Sequence, residues 1–136
     1  MSRLLPKATP TSEPYWQGCK LGELRLQQCE SCLQVQFYPR VLCTACEHQT
    51  LTWIVASGRG RIASFTIIHR GVSPDYSTPL VVALIDLEEG PRLMSHIVGC
   101  HAQSAKIGDR VTVRFERWSD DVAVPVFELE RTGERE

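Results

Sequence analysis

Six cysteines occur, at positions 19, 29, 32, 43, 46 and 100, and four of them form two Cys-x-x-Cys pairs, Cys29/Cys32 and Cys43/Cys46, separated by ten residues. A pair at this spacing sits on a tight turn where both sulfurs and the turn's N–H groups converge. Two such turns on a short hairpin place four sulfurs at the corners of a tetrahedron, the arrangement Zn²⁺ accepts at ~2.3 Å. Ten intervening residues are fewer than the usual ~15–20 and suit a compact ribbon with short arms. Three other chemistries share some of the pattern. Two disulfides need an oxidising compartment. A redox dithiol needs only one pair, normally at a helix start. Iron held by four thiolates uses the same ligand set and stays open. Structural zinc is the expected occupant, because four protein ligands leave no position for water or substrate.

No other set assembles a catalytic centre. Cys100 and His101 are adjacent, so their side chains point apart and read as an ordinary loop. Cys19 reads as a small apolar contact on a helix. His48 lies two residues beyond Cys46, but four thiolates already close that site; His69 and His96 fall in strand runs. Asp86, Glu88 and Glu89 cluster at a hairpin turn, where solvated charge is expected. Neither a phosphate-binding Gly-x-x-x-x-Gly-Lys loop nor a Gly-x-Ser-x-Gly elbow is present in the sequence.

These residues need a scaffold, and 136 residues supply about one domain. The chain is 43% hydrophobic and 23% charged, ordinary globular values, with no apolar run of the ~18–20 residues a membrane helix needs. Met1 to Lys7 carry charge without a following apolar stretch, so no secretory signal is visible and a cytoplasmic protein is expected. No internal repeat is apparent. Residues 1–11 read as a loose arm. Ser12-Glu13-Pro14 starts a short helix with Ser12 as N-cap, and Gly22 stops it. Residues 12–50 then form this helix plus a zinc ribbon. Residues 51–131 hold five β-rich runs, at about 61–70, 80–87, 92–98, 110–118 and 122–131, and 132–136 form a charged tail. Leu80 to Leu87 is nearly all apolar, as a strand covered on both faces would be. Glu88 to Pro91 and Lys106 to Asp109 are turns, and Gly58 and Gly60 mark a bulge or bend. The predicted fold is mainly β: a short helix and rubredoxin-like ribbon followed by a five-stranded barrel of the OB type, with the ribbon packed on the barrel.

Pro14-Tyr15-Trp16, Gly22-x-Leu24, the two cysteine pairs, Tyr38-Pro39-Arg40, Gly58-x-Gly60-x-Ile62-x-Ser64-Phe65-Thr66, Pro79-x-Val81, Asp86-Leu87-x-Glu89-Gly90-Pro91-Arg92 and Ile107-Gly108-x-x-Val111-x-Val113-x-Phe115 occur in this order. From about residue 13 to 129 the chain resembles the acyl-CoA-associated zinc-ribbon/OB-fold family, long catalogued as domain of unknown function thirty-five. The resemblance implies a non-catalytic subunit beside a thiolase-like enzyme, synthase, aldolase or hydratase, which it stabilises and whose CoA thioester it helps enclose. It also implies Cys29, Cys32, Cys43 and Cys46 as zinc ligands. Tyr15, Trp16, Phe37 and Tyr38 are the expected partner contacts, and Arg40 and Arg59 candidates for partner or CoA phosphates. The rival is a single-stranded nucleic-acid binder, with Phe37, Tyr38 and Trp53 as stacking platforms and Arg40, Arg59, Arg61 and Arg70 as cations. Against it, the net charge is −1 and only three of the 15 basic residues are lysine, whereas nucleic-acid-binding domains are usually strongly basic.

Overall fold

The computed structural model describes residues 5–70, 79–99 and 102–130. The Cys100–His101 pair and the charged tail fall outside them. One helix, α1 (Glu13–Lys20), precedes eight strands: β1 (Arg25–Cys29), β2 (Val35–Gln36), β3 (Leu51–Val55), β4 (Arg59–Ile68), β5 (Leu80–Leu87), β6 (Arg92–Val98), β7 (Arg110–Arg117) and β8 (Ala123–Leu129). A 3₁₀ turn, Ala102–Ser104, lies between β6 and β7.

Helix α1 starts and stops where the sequence places it, although Ser12 does not cap through its side chain. Its Oγ instead accepts the Thr9 N–H at 2.9 Å, closing a turn ahead of the helix. At the other end Gly22 adopts φ +80°, and the Glu23 N–H reaches the Gly18 carbonyl at 2.8 Å, the wrapped ending that favours glycine. Tyr15 and Cys19, four residues apart on one face, are buried.

The ribbon is a three-stranded antiparallel sheet in the order β2-β1-β3. Arg25 to Cys29 run opposite Val55 to Leu51, so β3, the first segment after the expected ribbon boundary, pairs with the ribbon, starting beside Cys29 and running back along β1. Ala56 to Gly58 alone link it to the barrel.

The barrel closes in the order β4-β5-β6-β8-β7, with β7 returning to β4 through Arg59↔Thr112, Gly60↔Val111 and Arg61↔Arg110. The β6–β8 seam is parallel and short, with Ile97↔Phe127 and Val98↔Glu128 in register. This is the Greek-key order of an OB-fold. Phe127, Ile85, Ile62 and Val111 fill the interior. The strand covered on both sides is β8 and not β5. Strand β5 alternates, with Val81, Ala83, Ile85 and Leu87 buried between half-exposed neighbours. Strand β8 buries Phe127 and Leu129 in the core, while Val124 and Val126 are also buried, because α1 packs against this strand. The bulge lies at Ala63, between Ile62 and Ser64. Gly60 serves close approach instead: a Cβ there would stand 2.7 Å from the Asp86 carbonyl oxygen and 2.8 Å from Ile85 Cγ2. His69 lies just past the end of β4, whereas His96 is within β6.

Candidate metal centre

Each cysteine pair occupies the same turn. The Leu33 N–H bonds the Cys29 carbonyl at 3.0 Å and the Glu47 N–H bonds the Cys43 carbonyl at 2.9 Å; the Cys29 N–H bonds the Gln34 carbonyl and the Cys43 N–H the His48 carbonyl, both at 3.0 Å. Leu33 and Glu47, each four residues after the first cysteine of its pair, take φ of +66° and +67°. The chain therefore contains a structural repeat of one turn that the dissimilar intervening residues conceal in the sequence. His48 takes part through its backbone, and its side chain is outside the sulfur cluster.

The four Sγ atoms of Cys29, Cys32, Cys43 and Cys46 lie within 4.8 Å of one another. Cys29–Cys46 and Cys32–Cys43 both measure 3.6 Å, close to the ~3.8 Å edge of a tetrahedron with ~2.3 Å arms and far beyond a disulfide's ~2.05 Å. Cys29 and Cys43 are buried; Cys32 and Cys46 face solvent. The turns prepare the buried sulfurs as thiolates. The Cys32 and Ser31 N–H groups hold the Cys29 thiol below its ordinary value, and those of Cys46 and Ala45 bring Cys43 down to about 6. For Cys32 the Gln34 N–H lowers the value, but lost hydration and the three neighbouring sulfurs together push it up to about 12. Thiols crowded this closely release protons when a divalent cation binds them, so this donor set fits Zn²⁺. When bound, zinc supplies a cross-link between the two turns.

A second layer holds the second turn in place. Gln27 and Gln36 are buried side chains at 4% and 5% exposure. Gln36 Nε2 donates to Gln27 Oε1 at 2.9 Å and to the Leu42 carbonyl at 3.2 Å. Gln36 Oε1 accepts the Thr44 N–H at 3.0 Å. Gln27 Oε1 accepts the Arg40 N–H at 2.8 Å, and Gln27 Nε2 donates to the Arg40 carbonyl at 2.9 Å. The loop carrying Cys43 is thus pinned to β1 and β2. Polar residues alternating in short strands read as solvent-facing, so the sequence carries no signal for this pair.

The aromatic residues gather at a groove of about 390 Å³ between ribbon, helix and barrel, where Trp16, Phe37 and Tyr38 meet Met94, Trp118 and Pro125. Ring centroids lie 4.9 Å apart for Tyr15–Trp16, 5.4 Å for Tyr15–Phe37 and 4.4 Å for Phe37–Tyr38. Tyr15 is buried, so its packing is internal, and Tyr38 is 51% exposed. Met94 follows Leu93 within a strand run and Trp118 stands between Arg117 and Ser119, so neither carries a sequence signal for this groove. The arginines do not join this groove. Arg59 pairs with Glu88 at 3.0 Å, Arg61 donates to the Gly108 carbonyl at 3.2 Å, and both line a separate cavity of about 470 Å³. Arg40 is exposed. Asp86, Glu88 and Glu89 are spent on Arg92, Arg59 and the Ser57 N–H, at 2.6, 3.0 and 2.8 Å.

Comparison with known proteins gives matches to both modules. Residues 16–52 match the family model for the ChsH2 rubredoxin-like zinc ribbon domain, and residues 53–116 that for the ChsH2 C-terminal OB-fold domain. A DUF35 domain-containing scaffold protein of Methanocaldococcus jannaschii is 34% identical over 98 residues, 69% of this chain and 68% of that one. A probable enoyl-CoA hydratase alpha subunit of Thermomonospora curvata is 28% identical over 113 residues, 83% of this chain; the chain spans only 35% of that protein's length. Among solved structures, a chain of the Ltp2-ChsH2(DUF35) aldolase superposes with a TM-score of 0.83 at 27% identity, covering 91% of this chain and 98% of that one.

Proposed function

The chain belongs to the DUF35 family of zinc-ribbon/OB-fold proteins, and from that premise we propose that it is a non-catalytic accessory subunit of an enzyme that processes acyl-CoA thioesters. The partner is a thiolase-like, synthase, aldolase or hydratase protein, which this chain docks against and stabilises. The observation that carries the reading is the near-complete superposition on the ChsH2(DUF35) chain of an aldolase. The chemistry of the metal centre agrees with it. Cys29, Cys32, Cys43 and Cys46 are consumed as ligands, so zinc has no open position for substrate, and its work is to hold the ribbon rigid. Trp16, Phe37 and Tyr38, with Met94 and Trp118, form the contact surface for the enzyme, and Tyr15 supports them from below. Arg40 and Arg59 stand where an anionic group of the partner or of CoA is reached from solvent.

The test is purification of the tagged chain from its own source at low salt. A stoichiometric acyl-CoA enzyme, co-eluting in gel filtration and lost when Tyr38 and Met94 are replaced by alanine, is the expected result. Recovery of the protein alone, or with single-stranded nucleic acid released steeply by salt, would overturn it.

A further inference from the structure

Strand β3 is an open edge of the ribbon sheet, because the order β2-β1-β3 pairs it on one side only. The phase of the ladder fixes what its other side presents. The Glu30 N–H bonds the Thr50 carbonyl at 3.1 Å and the Ala56 N–H bonds the Leu24 carbonyl at 2.8 Å. Residues 50, 52, 54 and 56 therefore turn their backbone groups toward β1, and in an antiparallel pair the alternate residues turn theirs away. Leu51, Trp53 and Val55 thus direct three N–H and three C=O groups outward, none of which meets a partner among the described residues. None of the three residues is buried, and Val55 is 59% exposed.

Sheets normally guard such an edge with a charge, a proline, a bulge or a very short strand. The opposite edge is guarded in this way, since β2 is two residues long. On β3 the run from Gln49 to Gly58 holds neither a charge nor a proline, and its register with β1 is unbroken. An unguarded edge of this kind is a template for another strand.

The strand that fits it is β3 itself. Turned about a two-fold axis at Trp53, a second copy sets Leu51 opposite Val55, Trp53 opposite Trp53 and Val55 opposite Leu51. Every outward donor then meets an outward acceptor, giving about six bonds over ~17 Å. Apolar side chains face each other in these pairs, and no like charges are opposed. We propose that β3 joins two copies of this chain edge to edge, making one continuous sheet from two ribbons. A contact this short belongs to the weak, reversible class. The inference does not depend on the accessory-subunit reading, whose aromatic groove holds no residue of β3.

The test is sedimentation velocity and amide hydrogen exchange on the zinc-loaded full chain, from micromolar to near-millimolar concentration. The expected result is a mass rising toward that of two chains, with exchange at Leu51, Trp53 and Val55 slowing as concentration rises. Thr52 and Ile54, already bonded to β1, should exchange slowly and alike throughout. Val55→Pro removes an outward N–H without touching a bond to β1, and should weaken association by roughly tenfold or more at unchanged zinc content. Val55→Lys, which puts a charge at an exposed position on the edge, should weaken it as well. The mass of one chain at every concentration would overturn the pairing. So would a dimer whose three outward amides exchange independently of concentration, since that dimer uses another surface. Protection of those amides only on adding a co-purified enzyme would assign the edge to a strand of the enzyme and equally refute the second copy.

Discussion

Replacing Gln36 with leucine tests whether the buried glutamine pair holds the second zinc turn. The change fills nearly the same space but deletes the bonds to Gln27 Oε1, the Leu42 carbonyl and the Thr44 N–H, at 2.9, 3.2 and 3.0 Å. Gln27 Oε1 keeps the Arg40 N–H, so two backbone groups lose their partners. Each orphaned group costs ~1–3 kcal/mol when dry. Leu42 and Thr44 are exposed residues and water reaches them, which selects the low end and a total of ~2 kcal/mol. The added apolar burial returns ~1 kcal/mol, leaving a net loss of about 1 kcal/mol. With m of ~1–3 kcal/mol/M, the urea midpoint should fall by roughly 0.3–1 M. The same loop carries Cys43, so zinc transfer to a chromogenic chelator should accelerate by about fivefold. Gln28→Leu is the control: its amide donates only to the Leu33 carbonyl at the surface, and the effect should stay within ~0.5 kcal/mol. If Gln36→Leu matches that control in both midpoint and zinc release, the glutamine pair does not hold the turn and the reasoning fails.

Cys43→Ser should reduce bound zinc below stoichiometry by elemental analysis and melt the ribbon well before the barrel; full metal content would refute the four-thiolate assignment. Gly60→Ala forces a Cβ to within 2.7 Å of the Asp86 carbonyl oxygen, an overpacking that should cost ~1–3 kcal/mol or more in thermal or urea unfolding. Tyr15 is kept protonated by burial, then by the neighbouring Cys19, so its folded pKa is raised. Its contribution to stability is therefore complete below the unfolded value of ~10 and declines as pH rises past it, because only the unfolded chain releases the proton. Phenolate absorbance and circular dichroism recorded together check this: one tyrosine should ionise only with loss of native signal, and titration of every phenol ahead of unfolding would contradict it.

The metal turns were legible because their chemistry is local: a Cys-x-x-Cys pair makes its own turn, and two pairs imply their meeting point. The barrel was legible from alternation in runs such as Arg110 to Glu116, and Gly22 announced the helix end by the φ it alone adopts cheaply. What escaped was decided by who packs on whom. Leu80 to Leu87 reads as covered on both faces, yet the helix falls on Ala123 to Leu129, a choice made by tertiary packing. Gln27 and Gln36 read as solvated polar residues because burial of a polar side chain depends on partners distant in sequence. Leu51 to Val55 pairs in register with Arg25 to Cys29, a contact between distant segments that no local pattern announces.

The three residues joining the modules have one further consequence. Ala56 donates its N–H to Leu24, Ser57 donates to Glu89, and the Gly58 carbonyl accepts from Val113, each at 2.8 Å. Ala56 is thus tied to the ribbon side and Ser57 and Gly58 to the barrel, which restrains the torsions between ribbon and barrel. A macromolecule engaging both modules meets a single rigid body and sacrifices rigid-body freedom once, a cost of ~4–15 kcal/mol that is not repeated for the second module. Two modules on a flexible tether would capture the second contact only at the millimolar effective concentration such a tether provides. The short linker therefore acts as pre-organisation, converting two modest patches into one binding surface whose geometry is set before any encounter.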